Sequence, residues 1–300
     1  MFIFFILLFA AMDTISGNSI FDKLDTRMKE VNSLVCVGLD PDISKIPTSV
    51  IENNISDSAA LYAFLTKIID ITAPHACSYK IQKAFYDQLD DGHELLRDVV
   101  AYIHTHYPQI PAFVDCKIGD TDNTMKAYMQ LMFDDIKADA VVINPYMGDD
   151  VFEPFMLDGH KTAIVLVQTS NPQAKIVQEQ ALTNGKKLWE EILSLTIHRW
   201  NKKNNLMVVL SSNTALQDYQ HIRAQIPQDM PILLAGIGAQ GGNPEIMKQL
   251  LNKEKRGVFV NSSRGILYPY TIQDVQWEEK VLSAVIDLKN TLNAIRDGSC

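Results

Sequence analysis

Short apolar, β-branched runs alternate with amphipathic stretches along most of the chain. Leu34–Leu39, Cys77–Gln82, Ile110–Val114, Ala140–Asn144, Thr162–Gln168, Met207–Ser211, Ile232–Ala235 and Val258–Asn261 have strand length and composition. Between them, Asp57–Ile71, Glu94–His104, Thr124–Ile136, Lys187–Trp200, Thr214–Gln225 and Glu245–Leu251 carry apolar positions at helical spacing, and Val275–Ile295 follows the last strand. Several strands are apolar almost throughout, the pattern of parallel strands covered on both faces. Eight strands alternating with helices predict an α/β chain folded as a (β/α)8 TIM barrel. No Pro/Gly/Ser-rich linker divides it, so residues 21–300 read as one domain behind an extension over residues 1–20. Within that extension, Phe2–Ala11 is apolar but about half the length that spans a bilayer. It lacks the basic start of a secretory signal, so either translation begins at Met12 or the segment has no role.

In such a barrel the carboxyl ends of the strands converge on one mouth, where functional side chains gather. The third strand runs into Asp115-Cys116-Lys117-Ile118-Gly119-Asp120. Alternation along a strand puts Asp115 and Lys117 on one face, and Gly119 is expected to turn Asp120 back towards the ammonium. A lysine between carboxylates stays protonated and suits a reaction in which carbanion character develops and a proton must be delivered. In isolation the same residues describe a salt-bridged strand end. The neighbouring strand ends tip the balance: Asp40 follows strand one, Lys80 lies on strand two, and Ser170 follows strand five. Gly236–Gly242 and Arg264 follow strands seven and eight, where barrels often bind phosphate through glycine-loop N–H groups and paired guanidinium donors.

Composition narrows the partners. The chain is 47% hydrophobic and 21% charged, with a net charge of -9, which repels nucleic acid as a whole. An anionic ligand must therefore be held by local donors. Cys36, Cys77, Cys116 and Cys300 are far apart with no C-x-x-C pair, which suits reduced thiols in a cytoplasmic protein. No membrane partner is expected.

Taken together, Gly38-Leu39-Asp40-Pro41-Asp42, the Asp115–Asp120 segment with Asn123-Thr124, Thr169-Ser170-Asn171-Pro172 and Gly236–Gly242 resemble the orotidine 5′-monophosphate decarboxylases. The match is to the branch with Thr-Ser-Asn-Pro and Gly-Ala-Gln-Gly-Gly motifs, and it runs from roughly Phe21 to the final helix. The resemblance implies decarboxylation of orotidine 5′-phosphate to uridine 5′-phosphate in pyrimidine biosynthesis, with no metal or organic cofactor. It implies that Lys117 protonates C6, that Asp115 sits beside the departing carboxylate, and that Lys80 completes a Lys/Asp/Lys/Asp network. Asp120 and Thr124 would reach across a homodimer interface to the partner's ribose, with Asp40 and Lys80 on ribose hydroxyls. Ser170 would meet the ring, Gln240 and Gly241 the ring loop and phosphate, and Arg264 the phosphate. Ala235, Thr121 and Ile118 stand where this branch usually has proline, an aliphatic residue and arginine.

Two other enzyme classes share parts of the pattern. A metal-dependent sugar-phosphate lyase of the same superfamily shares Asp-x-Lys-x-x-Asp but needs further acidic ligands, and strand two offers Lys80 instead. Gly236-x-Gly238-x-x-Gly241 matches a dinucleotide fingerprint, and Arg264 beyond Asn261 could accept an NADP phosphate, yet the roughly 40 residues that follow are too few for the rest of a Rossmann sheet, which disfavours an NADP dehydrogenase.

Overall fold

The eight expected strands all form, and they close into a parallel barrel in sequence order. They are β1 Val35–Gly38, β2 Ser78–Gln82, β3 Ala112–Ile118, β4 Ala140–Ile143, β5 Ala163–Leu166, β6 Leu206–Ser211, β7 Ile232–Ala235 and β8 Val258–Ser262. The computed structural model describes residues 19–213, 216–237 and 241–298; the 1–18 segment, Gln240 and Cys300 lie outside them. Pairing of Val35 with Val260 closes β1 onto β8. Nearly every strand residue is buried, because helices cover one face and packed side chains fill the other.

Ladder partners in a parallel pair share a face, so register identifies the inward positions. Lys80 pairs with Phe113, and Gln82 with Asp115, so these four point into the barrel. Phe113 and Phe259 meet inside it with ring centroids 5.6 Å apart. This packed layer lies beneath polar side chains at the mouth.

The sequence placed the end of the third strand at Val114, whereas β3 continues through Ile118. Its ladder with β4 is irregular between Val114 and Ile118, and Lys117 takes φ +47°. The polar residues beyond Val114 are therefore part of the strand, bent away from regular pleating.

Helices return the chain between strands. Asp57–Thr72, Gly92–His106 and Trp277–Asp297 follow the expected amphipathic stretches within a few residues. Thr124–Ile136 and Lys187–Trp200 instead split into α-helix followed by a π-helical turn. Asp149-Asp150, an acidic pair expected at a helix N-terminus, forms the first turn of helix Asp149–Leu157, which carries Pro154 inside it. Asp149 at its first turn receives Arg199 and, at 2.8 Å, the Trp200 indole N–H. Trp200 then stacks on Phe152 at 3.9 Å, so Trp200 and the buried Trp189 serve packing. Helix Ile20–Glu30, capped by Ser19 and Asp22, buries Leu24 and Met28 and bonds through Lys23 to Asp139, just before β4. It covers the end of the barrel opposite the mouth.

Candidate active site

Asp115 is the hinge of the mouth. Its Oδ1 accepts from Lys117 Nζ at 2.7 Å and its Oδ2 from Lys80 Nζ at 3.1 Å, so each lysine has its own oxygen. Asp115 and Lys80 are 7% and 6% exposed, which removes most solvent screening between them. Burial alone would raise the Asp115 carboxyl, but Lys80 and Lys117 outweigh it and hold the group below its ordinary value. Burial likewise opposes the charge on Lys80, yet Asp115 and Asp40 together keep that ammonium more basic than usual. Asp115 and Lys80 are thus both ionised at neutral pH.

Lys117 meets Asp115 as expected, but through a left-handed backbone rather than simple alternation. Non-glycine residues seldom adopt positive φ, and such strain gathers where geometry serves function. A second acceptor, Gln82 Oε1, lies 3.3 Å from the ammonium. Sequence reasoning missed Gln82, although its place two residues after Lys80 on one strand already assigned it to the same face.

Asp120 does not come back towards Lys117. Its carboxylate makes no ion pair with Lys117 and accepts instead from the N–H of its neighbour Thr121 at 2.7 Å, while Gly119 packs against the Asn144 carbonyl. Thr124, in the first turn of helix Asp122–Met129, is exposed beyond it. These two residues stand outside the wall of the cleft that holds Lys117.

That cleft, about 590 Å³, brings together Asp40, Lys80, Asp115, Lys117, Ser170 and Arg264 from five strand ends. Val142, Leu166, Val209 and Leu233 give it an apolar floor, which strengthens electrostatic interactions above. Asp40 Oδ1 is buried without a hydrogen-bond partner among the described residues, an acceptor awaiting a donor such as a sugar hydroxyl. Arg264 stands exposed on the rim at the start of the turn Arg264–Leu267. Lys45 also lines the cleft and escaped the sequence reading, since a surface lysine four residues beyond Pro41 carries no motif.

Glycines shape the rim between β7 and β8. Gly236 has φ +100°, and a Cβ there would lie 2.7 Å from Ser170 Cβ and Ser212 Oγ. Only glycine lets the loop turn this close to the wall that carries Ser170. Gly241 is exposed at φ +73° outside the cleft lining, and Gln240 lies outside the described residues.

Fold and site together define a (β/α)8-barrel enzyme with a lysine–aspartate centre and a cationic, glycine-lined rim. A family model described as orotidine 5′-phosphate decarboxylase / HUMPS family matches residues 33–270. The orotidine 5′-phosphate decarboxylase of Cupriavidus metallidurans is 34% identical over 278 residues, covering 92% of this chain and 98% of its own. That of Haloarcula marismortui is 37% identical over 250 residues, covering 83% and 86%. Leishmania donovani OMP decarboxylase superposes with a TM-score of 0.76 at 27% identity, covering 93% of this chain and 99% of that one. The Leishmania donovani UMP synthase superposes at 0.77 and 29% identity, and there the match spans 56% of the longer chain. The chain belongs to the orotidine 5′-phosphate decarboxylase / HUMPS family. It is a carbon–carbon lyase of pyrimidine biosynthesis, which sets aside the sugar-phosphate lyase and the dehydrogenase.

Proposed function

We infer that the cleft converts orotidine 5′-phosphate to uridine 5′-phosphate, with Lys117 as the proton donor. The observation that carries this assignment is Asp115 shared between Lys80 and Lys117, one oxygen each, in a cleft that also holds Arg264. The C6–carboxylate bond breaks, carbon dioxide leaves, and the electron pair stays on C6. An N–H proton of Lys117 moves to C6, and the neutral amine regains a proton from solvent. The ring offers no electron sink, so stabilisation must come from preorganised charge, here an ammonium above an apolar floor. Side chains supply that charge, and the reading calls for no metal or organic cofactor.

Asp115 also faces the departing carboxylate in this reading, with Lys80 offsetting its charge. Asp40 Oδ1, buried and unpartnered, takes a ribose hydroxyl, and Ser170 lies on the ring side. Arg264 with the glycine rim binds the phosphate, whose remote binding energy helps to assemble the site.

Asp120 and Thr124 act across a homodimer. Supporting this are the position of Asp120 and Thr124 outside the lining of their own cleft, and Tyr146 and Met147, which are 86% and 45% exposed just beyond β4. Exposed apolar residues beside a site edge suit a symmetric interface. The scattered cysteines, three of them free thiols among the described residues, support a cytoplasmic location.

An absorbance assay with orotidine 5′-phosphate, with and without a chelator, tests the activity. Turnover unaffected by chelation is expected; no turnover overturns the reading.

A further inference from the structure

Four cations and two carboxylates line the cleft. Lys80 and Lys117 are engaged by Asp115, and Asp40 adds its charge beside Lys80. The remaining pair is Arg264 and Lys45, two positive charges against the two negative charges of a phosphate monoester. A protein of net charge -9 offers no general attraction to such a dianion, so both local cations matter.

Position agrees with charge. Around the rim, the strand order β7–β8–β1 places the glycine loop, Arg264 and Lys45 in succession. Tyr268 joins the last two: its N–H donates to the Arg264 carbonyl at 3.1 Å, and Lys45 Nζ lies 5.6 Å from its ring centroid. The Tyr268 hydroxyl in turn accepts from the Asp42 N–H at 2.8 Å and donates to the Asp40 carbonyl at 3.1 Å. Lys45 is thereby held at the corner between Arg264 and Asp40.

Its present partner is one it can leave. Lys45 Nζ lies 2.7 Å from Asp42 Oδ2, in a pair whose side chains are 49% and 33% exposed, and such pairs contribute little. Asp42 Oδ1 is separately satisfied by the Ser44 N–H and hydroxyl, at 3.1 and 2.6 Å. Departure of the lysine therefore leaves Asp42 with its Ser44 bonds intact and Oδ2 at the solvent edge.

We propose that Lys45 is a second phosphate-binding cation, swinging from Asp42 to the 5′-phosphate and sharing that dianion with Arg264. This rests on the decarboxylase reading, and the test separates the two. The intact enzyme, Lys45→Met and Lys45→Arg are assayed on orotidine 5′-phosphate and on orotidine, which lacks the phosphate. For Lys45→Met, kcat/KM on the phosphorylated substrate should fall about 10- to 100-fold, mainly through KM, as expected for loss of a charge-assisted contact. Its kcat/KM on orotidine should equal that of the wild type, which also certifies the fold, and Lys45→Arg should retain most activity on both. Equal losses on both substrates, no loss on orotidine 5′-phosphate, or an arginine variant as impaired as the methionine one would overturn the proposal. A wild-type enzyme inactive on orotidine 5′-phosphate would overturn the decarboxylase reading instead.

Discussion

Lys117 donates to Asp115 at 2.7 Å from a backbone at φ +47°, two residues further along the same strand. Regular pleating is given up here, and the ladder to β4 is irregular over the same residues. An ammonium has three N–H groups; Asp115 and Gln82 take two of them, and the third is left for the cleft. The strand end thus aims a proton.

Asp115→Ala removes the acceptor of two lysines, one of them buried. Stranding a buried charge costs about 3–5 kcal/mol, so a marked fall in Tm together with loss of turnover is expected. Thermal unfolding that leaves Tm unchanged would show that Lys80 finds another partner.

The same centre fixes an acid limit. Burial opposes ionisation of Asp115, but its two lysines hold the carboxyl below its ordinary value of 3.8. A depressed carboxyl stabilises the fold above that value, and the contribution is lost as pH falls through the folded value. The Tm deficit of Asp115→Asn should therefore be constant near neutrality and narrow under acid, as the wild type loses its advantage. Lys80, raised despite burial, contributes fully below 10.5 and loses the contribution as pH climbs through its folded value. A deficit that stays the same down to strong acid would contradict the first assignment.

Gly236→Ala forces a side chain into a left-handed position against Ser170 and Ser212. A cost of about 1–3 kcal/mol in stability, and weaker binding of uridine 5′-phosphate, are expected from backbone strain and crowding. Denaturant unfolding and calorimetric binding measure the two effects, and an unchanged variant would mean the rim tolerates movement.

The proposed sharing of active sites across a dimer makes a prediction that one chain alone cannot satisfy. Lys117→Ala and Asp120→Ala, each inactive as a homodimer, should regain turnover when mixed under conditions that exchange subunits. Each mixed dimer then has one site with its own Lys117 and the partner's intact Asp120. Mixtures as inactive as their parents would place Asp120 in another role.

Much of this was legible from residues alone. Parallel strands buried on both faces leave continuous apolar runs, so all eight could be located, and strand ends named the cleft residues Asp40, Lys80, Asp115, Lys117, Ser170 and Arg264. Asp120 was misdirected because a glycine permits a turn without stating its direction, and here Gly119 packs against Asn144. Gln82 and Lys45 escaped because neither belongs to a motif; pairing of β2 with β3 brings Gln82 to Lys117, and the chain after β1 brings Lys45 to the cleft. Asp149-Asp150 read as the acidic first turn of a helix, and helix Asp149–Leu157 begins there, although Pro154 inside it removes a backbone donor.

The most direct measurement compares wild type and Lys117→Ala for turnover of orotidine 5′-phosphate and for binding of uridine 5′-phosphate. Lys117 as the proton donor predicts turnover abolished and product binding retained through Arg264, the glycine rim and Asp40. Near-normal turnover by the variant would contradict it.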